Sequence, residues 1–201
     1  EDPKYSNPIL KHLKERQGES TRENTLKSFG GAGEKTAYTA TTSYFNPKLC
    51  KIIYSSYCPK NGTIFDPFSS VVRPYMAKLL NYNYVGCEVR KDECDKIDEI
   101  LNTNSLFEES DVRVLNIDCR EFETEQKFDL IFTCPPYWNL ETYSEQENDM
   151  SSISNYSDFL TEMSKVYSKC SSLMHDESYC CFVVADFRDY SEGRKLVNRL
   201  V

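Results

Sequence analysis

The sequence predicts an α/β fold built on a doubly wound, mainly parallel sheet. Short apolar runs alternate along the chain with segments of helical periodicity, and acidic residues follow directly after several of these runs. Such alternation requires right-handed crossovers between parallel strands. The chain has 201 residues, of which 39% are hydrophobic and 28% charged, so it is long enough to bury the core of one globular domain.

Five strands and the helices between them are expected in a fixed order. An N-cap followed by proline predicts a helix start at Asn46-Pro47. The core-facing positions of this helix are predicted to be Leu49, Ile52, Ile53 and Tyr57. Strands are predicted at residues 62–65, 84–88 and 112–116, in the apolar run that begins at Phe128, and at residues 179–185. One helix is predicted at about residues 74–80, and a second is predicted to bury Cys94, Ile97, Ile100 and Leu101. A last helix is predicted from apolar residues at helical spacing, namely Phe159, Leu160, Met163, Val166, Tyr167, Cys170, Leu173 and Met174.

The domain organisation is predicted to be a flexible polar arm over residues 1–40, followed by a single domain over residues 41–201. The arm contains Gly30-Gly31-Ala32-Gly33 and has no sustained apolar period. Its basic residues either contact phosphates or form an ordinary solvated surface; they are Lys11, Lys14, Arg16, Arg22 and Lys27.

The charge distribution argues against a surface dominated by phosphate contacts. The net charge is -8, and it is uneven: residues 1–60 hold 10 basic against 6 acidic side chains, whereas residues 61–201 hold 14 against 26. A nucleic-acid contact would therefore use the amino-terminal arm or another chain.

The nine cysteines and two histidines predict neither a disulfide framework nor a metal site. Several cysteines fall in or beside predicted strands and are expected to be reduced and buried, namely Cys87, Cys119, Cys134, Cys180 and Cys181. No apolar run approaches membrane-spanning length and no charged-then-apolar leader opens the chain. We therefore expect a soluble intracellular protein, with no distinction between cytoplasm and nucleus.

The strand predicted to begin at Phe128 stops at two consecutive prolines, Pro135 and Pro136, which place a rigid turn at its carboxyl end. Ligands bind at this end of the strands in open α/β sheets. The turn, Cys134-Pro135-Pro136-Tyr137, resembles the signature of amino-methyltransferases, in which Asp, Asn or Ser is followed by Pro-Pro and an aromatic residue. These enzymes transfer a methyl group from S-adenosylmethionine to an exocyclic amine of adenine or cytosine. An ordinary buried strand ending in a Pro-Pro turn is the alternative.

The resemblance implies a catalytic role for Cys134, Pro135, Pro136 and Tyr137. The carbonyl of Pro135 would accept a hydrogen bond from the target amine, and Tyr137 would stack on a flipped-out base. Cys134 departs from the signature, because its sulfur is only a weak acceptor.

The resemblance also implies S-adenosylmethionine as cofactor and a set of residues that bind it. Phe45 would cover the cofactor or, alternatively, act as a hydrophobic staple on the first helix. The loop Asp66-Pro67-Phe68 would close on the methionine part, Glu88 would bind ribose hydroxyls and Asp118 the adenine amine. The loop continues without glycine, and Val71 and Val72 stand where a positive φ or a close backbone approach would favour glycine. Weakened cofactor binding is therefore expected.

The segment after the turn, Leu140-Glu141-Thr142-Tyr143-Ser144, resembles phage and prophage members of the family in particular. An acidic loop to about Asn155 follows, and its acids would repel phosphate; they are Glu141, Glu145, Glu147 and Asp149. We expect this loop to cover the base pocket or to meet a protein.

Three functions are consistent with the sequence. The first is a methyltransferase acting on the exocyclic amine of adenine or cytosine in DNA. The second is a non-catalytic or cofactor-impaired subunit of a heteromeric methyltransferase, and the third is a methyltransferase of RNA or of a protein amide. Because few residues follow the last predicted strand, we expect weak DNA binding by the chain alone, with DNA contacts supplied by a protein partner or by a missing recognition region.

Overall fold

A computed structural model gives the structure of this chain. It describes residues 45–102, 110–138, 144 and 146–184, together with two short strands at residues 187–189 and 195–197. The chain divides into two units, Glu1–Phe45 and Asn46–Val201, and the fold that follows is that of the second. The predicted arm over residues 1–40 lies outside the described residues.

Strands and helices alternate along the chain, as the sequence predicts. The strands are β1 (Thr63–Asp66), β2 (Asn83–Glu88), β3 (Val112–Asn116), β4 (Phe128–Thr133), β5 (Met174–Phe182), β6 (Phe187–Asp189) and β7 (Lys195–Val197). The helices are α1 (Pro47–Tyr57), α2 (Val72–Leu79), α3 (Lys91–Asn102) and α4 (Tyr156–Ser172), with a short 3-10 helix at Met150–Ser152.

The sheet has five parallel strands in the order β3-β2-β1-β4-β5, which confirms the doubly wound α/β fold. Its register pairs Asp66 with Gly86 and Glu88 with Asn116, so the carboxyl ends of neighbouring strands meet at one edge. The strand order reverses between β1 and β4, and ligands bind at such a switch point in open α/β sheets. Strands β6 and β7 form a separate antiparallel pair.

Helix α1 begins where the sequence predicts, but it buries a different face. Asn46 is the N-cap, and its side chain accepts a hydrogen bond from Lys48 N at 2.9 Å. The buried residues are Cys50 and Tyr54, whereas the predicted core positions Ile52 and Tyr57 are 58% and 39% exposed. The helix lies against α2, β4 and β5, and these contacts select the Cys50 face.

The main core cluster lies between the sheet and α4. Phe65, Val85 and Ile131 come from the strands, and α4 contributes Phe159, Met163, Val166 and Cys170. Two positions predicted as core in this helix are exposed instead: Leu160 at 41% and Tyr167 at 37%. Both lie beyond the stripe that faces the sheet, since a surface helix buries only one side.

Strand β5 begins earlier than the predicted residues 179–185. Met174 pairs with Phe128, and after an irregularity in the register Tyr179 pairs with Leu130. The extra residues of this bulge are polar and exposed, which hid the start of the strand from the sequence pattern. Met174 therefore belongs to β5 and not to the preceding helix.

None of the nine cysteines is in a disulfide, and Cys87 and Cys119 are buried as expected. Cys180 is exposed and Cys134 and Cys181 are half-buried, so the prediction of buried thiols was wrong for these three. In the part of the chain that the structure describes, no cluster of His, Cys, Asp or Glu could hold a metal ion. None of the helices described there is long and apolar enough to cross a membrane.

Candidate functional site

Asp66, at the end of β1, accepts hydrogen bonds from four different residues. It is fully buried and accepts from Arg73 Nε, Tyr84 Oη and Thr133 Oγ1, each at 2.5 Å, and from Phe68 N at 3.1 Å. Burying a charge is costly unless it is paired and hydrogen-bonded, and both conditions are met here. Asp66 therefore positions the surrounding segments and does not present its carboxylate to a ligand.

Arg73, the partner of Asp66, is a site residue that the sequence analysis missed. It lies in α2 with only 3% of its side chain exposed and donates a second hydrogen bond to the carbonyl of Phe68. Burial is the largest single effect and opposes its charge, but the Asp66 carboxylate and Tyr84 together raise the pKa of Arg73 above its usual range. The available signal was an arginine among apolar neighbours, namely Val71, Val72, Tyr75, Met76 and Ala77.

Residues 67–71, which we call the cofactor loop, cross directly over β2. Ser69 N donates to the Cys87 carbonyl at 2.8 Å, and the hydroxyls of Ser69 and Tyr84 are 3.0 Å apart. A Cβ atom on Gly86 would lie 2.7 Å from Ser69 Cβ and 2.8 Å from Tyr84 Cε1. The glycine that permits the close approach is therefore in β2 and not in the loop.

The expectation that Val71 and Val72 occupy positions suited to glycine was wrong as regards the backbone. Val71 has φ -58° and Val72 is helical. Among the described residues other than glycine, only Asn61 and Asn81 have positive φ. The cofactor loop thus needs no residue with positive φ. A positive φ was one of the two reasons for expecting glycine there, and with it weakened cofactor binding; the other was a close backbone approach.

Residues 134–137, which we call the base turn, leave the sheet next to the cofactor loop. Pro135 and Pro136 are buried, Cys134 is half-buried, and Tyr137 is half-buried against the main core cluster. Trp138 follows and packs against Tyr156 of α4, with ring centroids 5.0 Å apart at 60°. The turn is thus held by buried prolines on one side and by aromatic packing on the other.

The described part of the acidic segment after the turn is packed against the site. Asp149 is buried, caps the 3-10 helix by accepting from Ser151 N at 2.9 Å, and accepts from Ser144 Oγ at 2.8 Å. Met150 joins the core cluster against which Tyr137 packs. Asp149, which the sequence analysis counted among the acids that would repel phosphate, is therefore a buried helix cap. Glu141 and Glu145 lie outside the described residues.

Glu88 ends β2 with a half-buried carboxylate that has few partners. Its Oε1 accepts from Arg90 N at 2.9 Å and lies 3.6 Å from Arg90 Nε, whereas no described residue donates to its Oε2. Burial raises the pKa of Glu88 to about 7, the Arg90 amide and guanidinium oppose the shift, and Glu93 and Asp149 add to it. Near neutral pH this carboxyl titrates.

Asp118, after β3, is already engaged by its own chain. Arg120 Nε lies 3.0 Å from both carboxylate oxygens, and the backbone N of Arg120 donates to Oδ1 at 2.9 Å. The same guanidinium donates to Glu162 of α4 at 2.5 Å and to the Asn148 carbonyl at 3.2 Å. Hydrogen bonding to Asp118 raises the pKa of Arg120. No local sequence pattern indicates that Arg120 joins Asp118 to Glu162.

The structure thus places most predicted site residues at one edge of the sheet. Asp66 and the base turn are joined through Thr133, and Glu88 and Asp118 follow on the two neighbouring strands. Phe45 belongs to the first unit and directly precedes the Asn46 cap, so its cofactor contact stays a prediction. Residues 139–143 lie outside the described residues.

No protein-family model and no curated protein matches the chain. Among solved structures, the fold is similar to that of TrmN from Thermus thermophilus, with a TM-score of 0.50 and 13% identity over 72% of this chain and 40% of that chain. An S-adenosylmethionine-dependent methyltransferase from Clostridium acetobutylicum has a TM-score of 0.46 and 12% identity over 73% and 50% of the two chains. An rRNA methylase from Streptococcus thermophilus has a TM-score of 0.47 and 7% identity over 70% and 71%. At such identities the likeness is one of fold.

Proposed function

We propose that the chain is an S-adenosylmethionine-dependent methyltransferase that acts on the exocyclic amine of adenine or cytosine in DNA. The observation that supports this most is the 2.5 Å hydrogen bond from Thr133 Oγ1 to Asp66. It joins the strand end that precedes the base turn to the strand end that precedes the cofactor loop. Methyl donor and acceptor must be brought together, and the two segments predicted to hold them adjoin in this chain.

The residues at the edge of the sheet fit the cofactor in two respects. Glu88 ends β2 with Oε2 available to accept from a ribose hydroxyl, in the position where dinucleotide-binding folds hold ribose with an acid. The cofactor loop crosses β2 with its backbone close to Gly86, so its amides and carbonyls adjoin the same edge. S-adenosylmethionine, when bound, supplies an electrophilic methyl group.

The base turn supplies what the acceptor nitrogen needs. An amine conjugated to a base ring is a poor nucleophile because its lone pair is delocalised, and an acceptor that holds its hydrogens favours rehybridisation. The Pro135 carbonyl, fixed between proline rings, is such an acceptor. Tyr137 offers the face on which the base stacks, an interaction worth about 1–3 kcal/mol per base in single-strand binding proteins. Cys134 adds only a weak acceptor, so we expect slow turnover.

Methyl transfer from labelled cofactor tests the proposal directly. The full chain is incubated with S-adenosylmethionine labelled in its methyl group and with duplex DNA, single-stranded DNA, RNA or a protein extract in parallel. The expected result is label in DNA, released on digestion as an N-methylated adenine or cytosine. Label in RNA or protein alone would assign a different substrate to the same site, and no cofactor binding at millimolar concentration would reject the enzyme.

A second candidate is a cofactor-impaired subunit of a heteromeric methyltransferase, and one observation favours it. The Asp118 carboxylate, predicted to meet the adenine amine of the cofactor, already accepts hydrogen bonds from Arg120 at both oxygens. Calorimetric titration with S-adenosylmethionine separates the two candidates, because an impaired subunit gives no binding heat whereas the enzyme binds.

A further inference from the structure

We propose that Arg73 is a positioning residue for cofactor and base, and that its ion pair with Asp66 couples the cofactor loop to the base turn. The inference rests on the proposed function and adds to it a residue that the family resemblance does not supply. No glycine occurs between Gly62 and Gly86, so the cofactor loop contains none. In this chain Arg73 holds the loop in its conformation instead.

The side chain of Arg73 reaches back over the loop that precedes it. Its Nε binds Asp66, one residue before the loop, and its terminal nitrogen binds the carbonyl of Phe68 inside the loop. Tyr54 of α1 donates to the backbone carbonyl of Arg73 at 3.0 Å, which fixes the start of α2. The guanidinium of a residue that follows the loop therefore holds the start of the loop in place. With 3% of its side chain exposed, Arg73 acts through the loop and not by touching a ligand.

The carboxylate that Arg73 holds is shared with the base turn. Asp66 also accepts from Thr133, the residue directly before Cys134, and from Tyr84 of β2. A shift of the cofactor loop therefore moves Asp66 and changes the hydrogen bond that anchors the base turn. The network joins the carboxyl ends of β1 and β4, where both reactants are proposed to bind, to Tyr84 near the start of β2.

A buried ion pair of this kind is poorly explained by stability alone. Desolvation of two charges commonly cancels their attraction, and apolar residues of similar volume often serve the fold equally well. What an apolar pair cannot reproduce is the direction of the bonds. The planar fork of arginine binds Asp66 and Phe68 at once, whereas the single ammonium of lysine lacks this geometry. Arg73→Lys therefore keeps the charge and removes the orientation.

The test compares cofactor affinity with turnover in variants of the full chain. Arg73→Lys is expected to weaken S-adenosylmethionine binding at least tenfold by calorimetry, with a circular dichroism spectrum like that of the wild type. Thr133→Val, which removes only the hydroxyl, is expected to keep the cofactor Kd within twofold and to lower kcat at least tenfold, and Thr133→Ser is expected to restore it. Arg113→Lys is the matched control, because Arg113 is half-exposed in β3 and, within the described part of the chain, pairs only with the exposed Asp111.

The outcomes separate the inference from the proposed function. If the wild type binds no cofactor, the proposed function fails. If the wild type binds and Arg73→Lys binds equally well, or Thr133→Val turns over normally, only the inference fails. If Arg73→Lys does not fold, the double variant Asp66→Asn with Arg73→Met is tested in its place, because it removes both charges of the buried pair. Weak cofactor binding by this folded double variant supports the positioning role, and binding like that of the wild type overturns it.

Discussion

Two acids end neighbouring strands of the sheet, and their environments set them apart. Asp66 is fully buried and satisfied by an arginine, two hydroxyls and a backbone amide. Glu88 has a backbone amide at one oxygen and two further acids, Glu93 and Asp149, in its surroundings. Burial raises the pKa of Glu88 to about 7. The carboxylate of Asp66 thus holds protein segments together, whereas the carboxylate of Glu88 can accept further hydrogen bonds from a ligand.

Cofactor binding should therefore depend on the protonation of Glu88. Only the ionised carboxylate accepts at both oxygens, so the affinity for S-adenosylmethionine should rise about tenfold between pH 6 and pH 8. Binding near pH 7 should release a proton, detectable by calorimetry in buffers of different ionisation enthalpy. Glu88→Gln should bind weakly with little pH dependence, and Glu121→Gln, at an exposed position, should behave like the wild type. An equal pH dependence in Glu88→Gln would assign the titration to another group.

Because the pKa of Glu88 is raised, its ionised carboxylate lowers the free energy of unfolding at high pH. A carboxyl whose folded pKa lies above its unfolded value contributes stability below the unfolded pKa, and this is lost as the pH rises through the folded pKa near 7. Glu88→Gln should therefore melt at a higher temperature than the wild type at pH 8, with the difference shrinking toward pH 5. Thermal unfolding followed by circular dichroism measures this difference in melting temperature. A Glu88→Gln variant that melts below the wild type at pH 8 would contradict the raised pKa of Glu88.

Tyr137 combines packing with the proposed stacking of the base, and two substitutions separate these roles. Tyr137→Phe keeps the ring and should retain most of the methyl transfer. Tyr137→Ala removes the ring, so transfer should fall by at least a hundredfold, while cofactor affinity changes little. Because Tyr137 is half-buried against the core cluster, the alanine variant should also lose about 1–2 kcal/mol of unfolding free energy. Wild-type turnover in Tyr137→Ala would exclude the stacking role.

At the scale of elements, β1, the cofactor loop and α2 form one unit that is fitted onto β2. Ser69 N binds the Cys87 carbonyl, and Ser69 Cβ lies where a side chain on Gly86 would stand. The sequence suggested that the loop itself needed glycine. In the structure the required space is made on the neighbouring strand, a relation between residues 17 positions apart that local patterns do not reveal.

Two glycine substitutions with similarly close contacts test the packing of the cofactor loop on β2. A Cβ on Gly86 would lie 2.7 Å from Ser69 Cβ, and one on Gly62 would lie 2.8 Å from Cys58 Sγ, at the opposite end of β1. Gly86→Ala and Gly62→Ala should each lower the free energy of unfolding by about 1–3 kcal/mol, as overpacking does. Only Gly86→Ala should also weaken cofactor binding, measured by calorimetry below the melting temperature. Equal affinities in the two variants would show that the loop tolerates displacement.

At the scale of the molecule, the sequence predicted what local patterns determine. A few consecutive residues determine each of three features that are found as expected: the cap at Asn46, the acid ending β2 and the turn after β4. Contacts between distant segments were not accessible in this way. They select the Cys50 face of α1 and bury Arg73, whose charge is accommodated only because Asp66 lies seven residues earlier on another element.

The charge of the whole chain leads to a prediction about DNA. Residues 61–201 carry 26 acidic against 14 basic side chains, so the long-range field of this part repels phosphate. We expect the chain alone to bind duplex DNA without sequence preference and with a Kd of about 1 µM or weaker at physiological salt, as measured by fluorescence anisotropy. Since residues 1–60 are net basic, reversing Lys11, Lys14 and Arg16 to Glu should remove most of this binding.

A matched triple reversal on the domain surface provides the control for the arm. Lys91 and Lys165 are exposed and Lys96 is half-exposed, and among the described residues all three pair only with acids of their own helices. Reversing them adds the same negative charge as reversing the three arm residues, so a smaller loss of DNA affinity would locate the phosphate contacts in the arm. Equal losses would mean that net charge alone governs the encounter. Nanomolar, sequence-specific binding by the wild type would instead require a recognition element, and residues 1–40 would then be the first place to search.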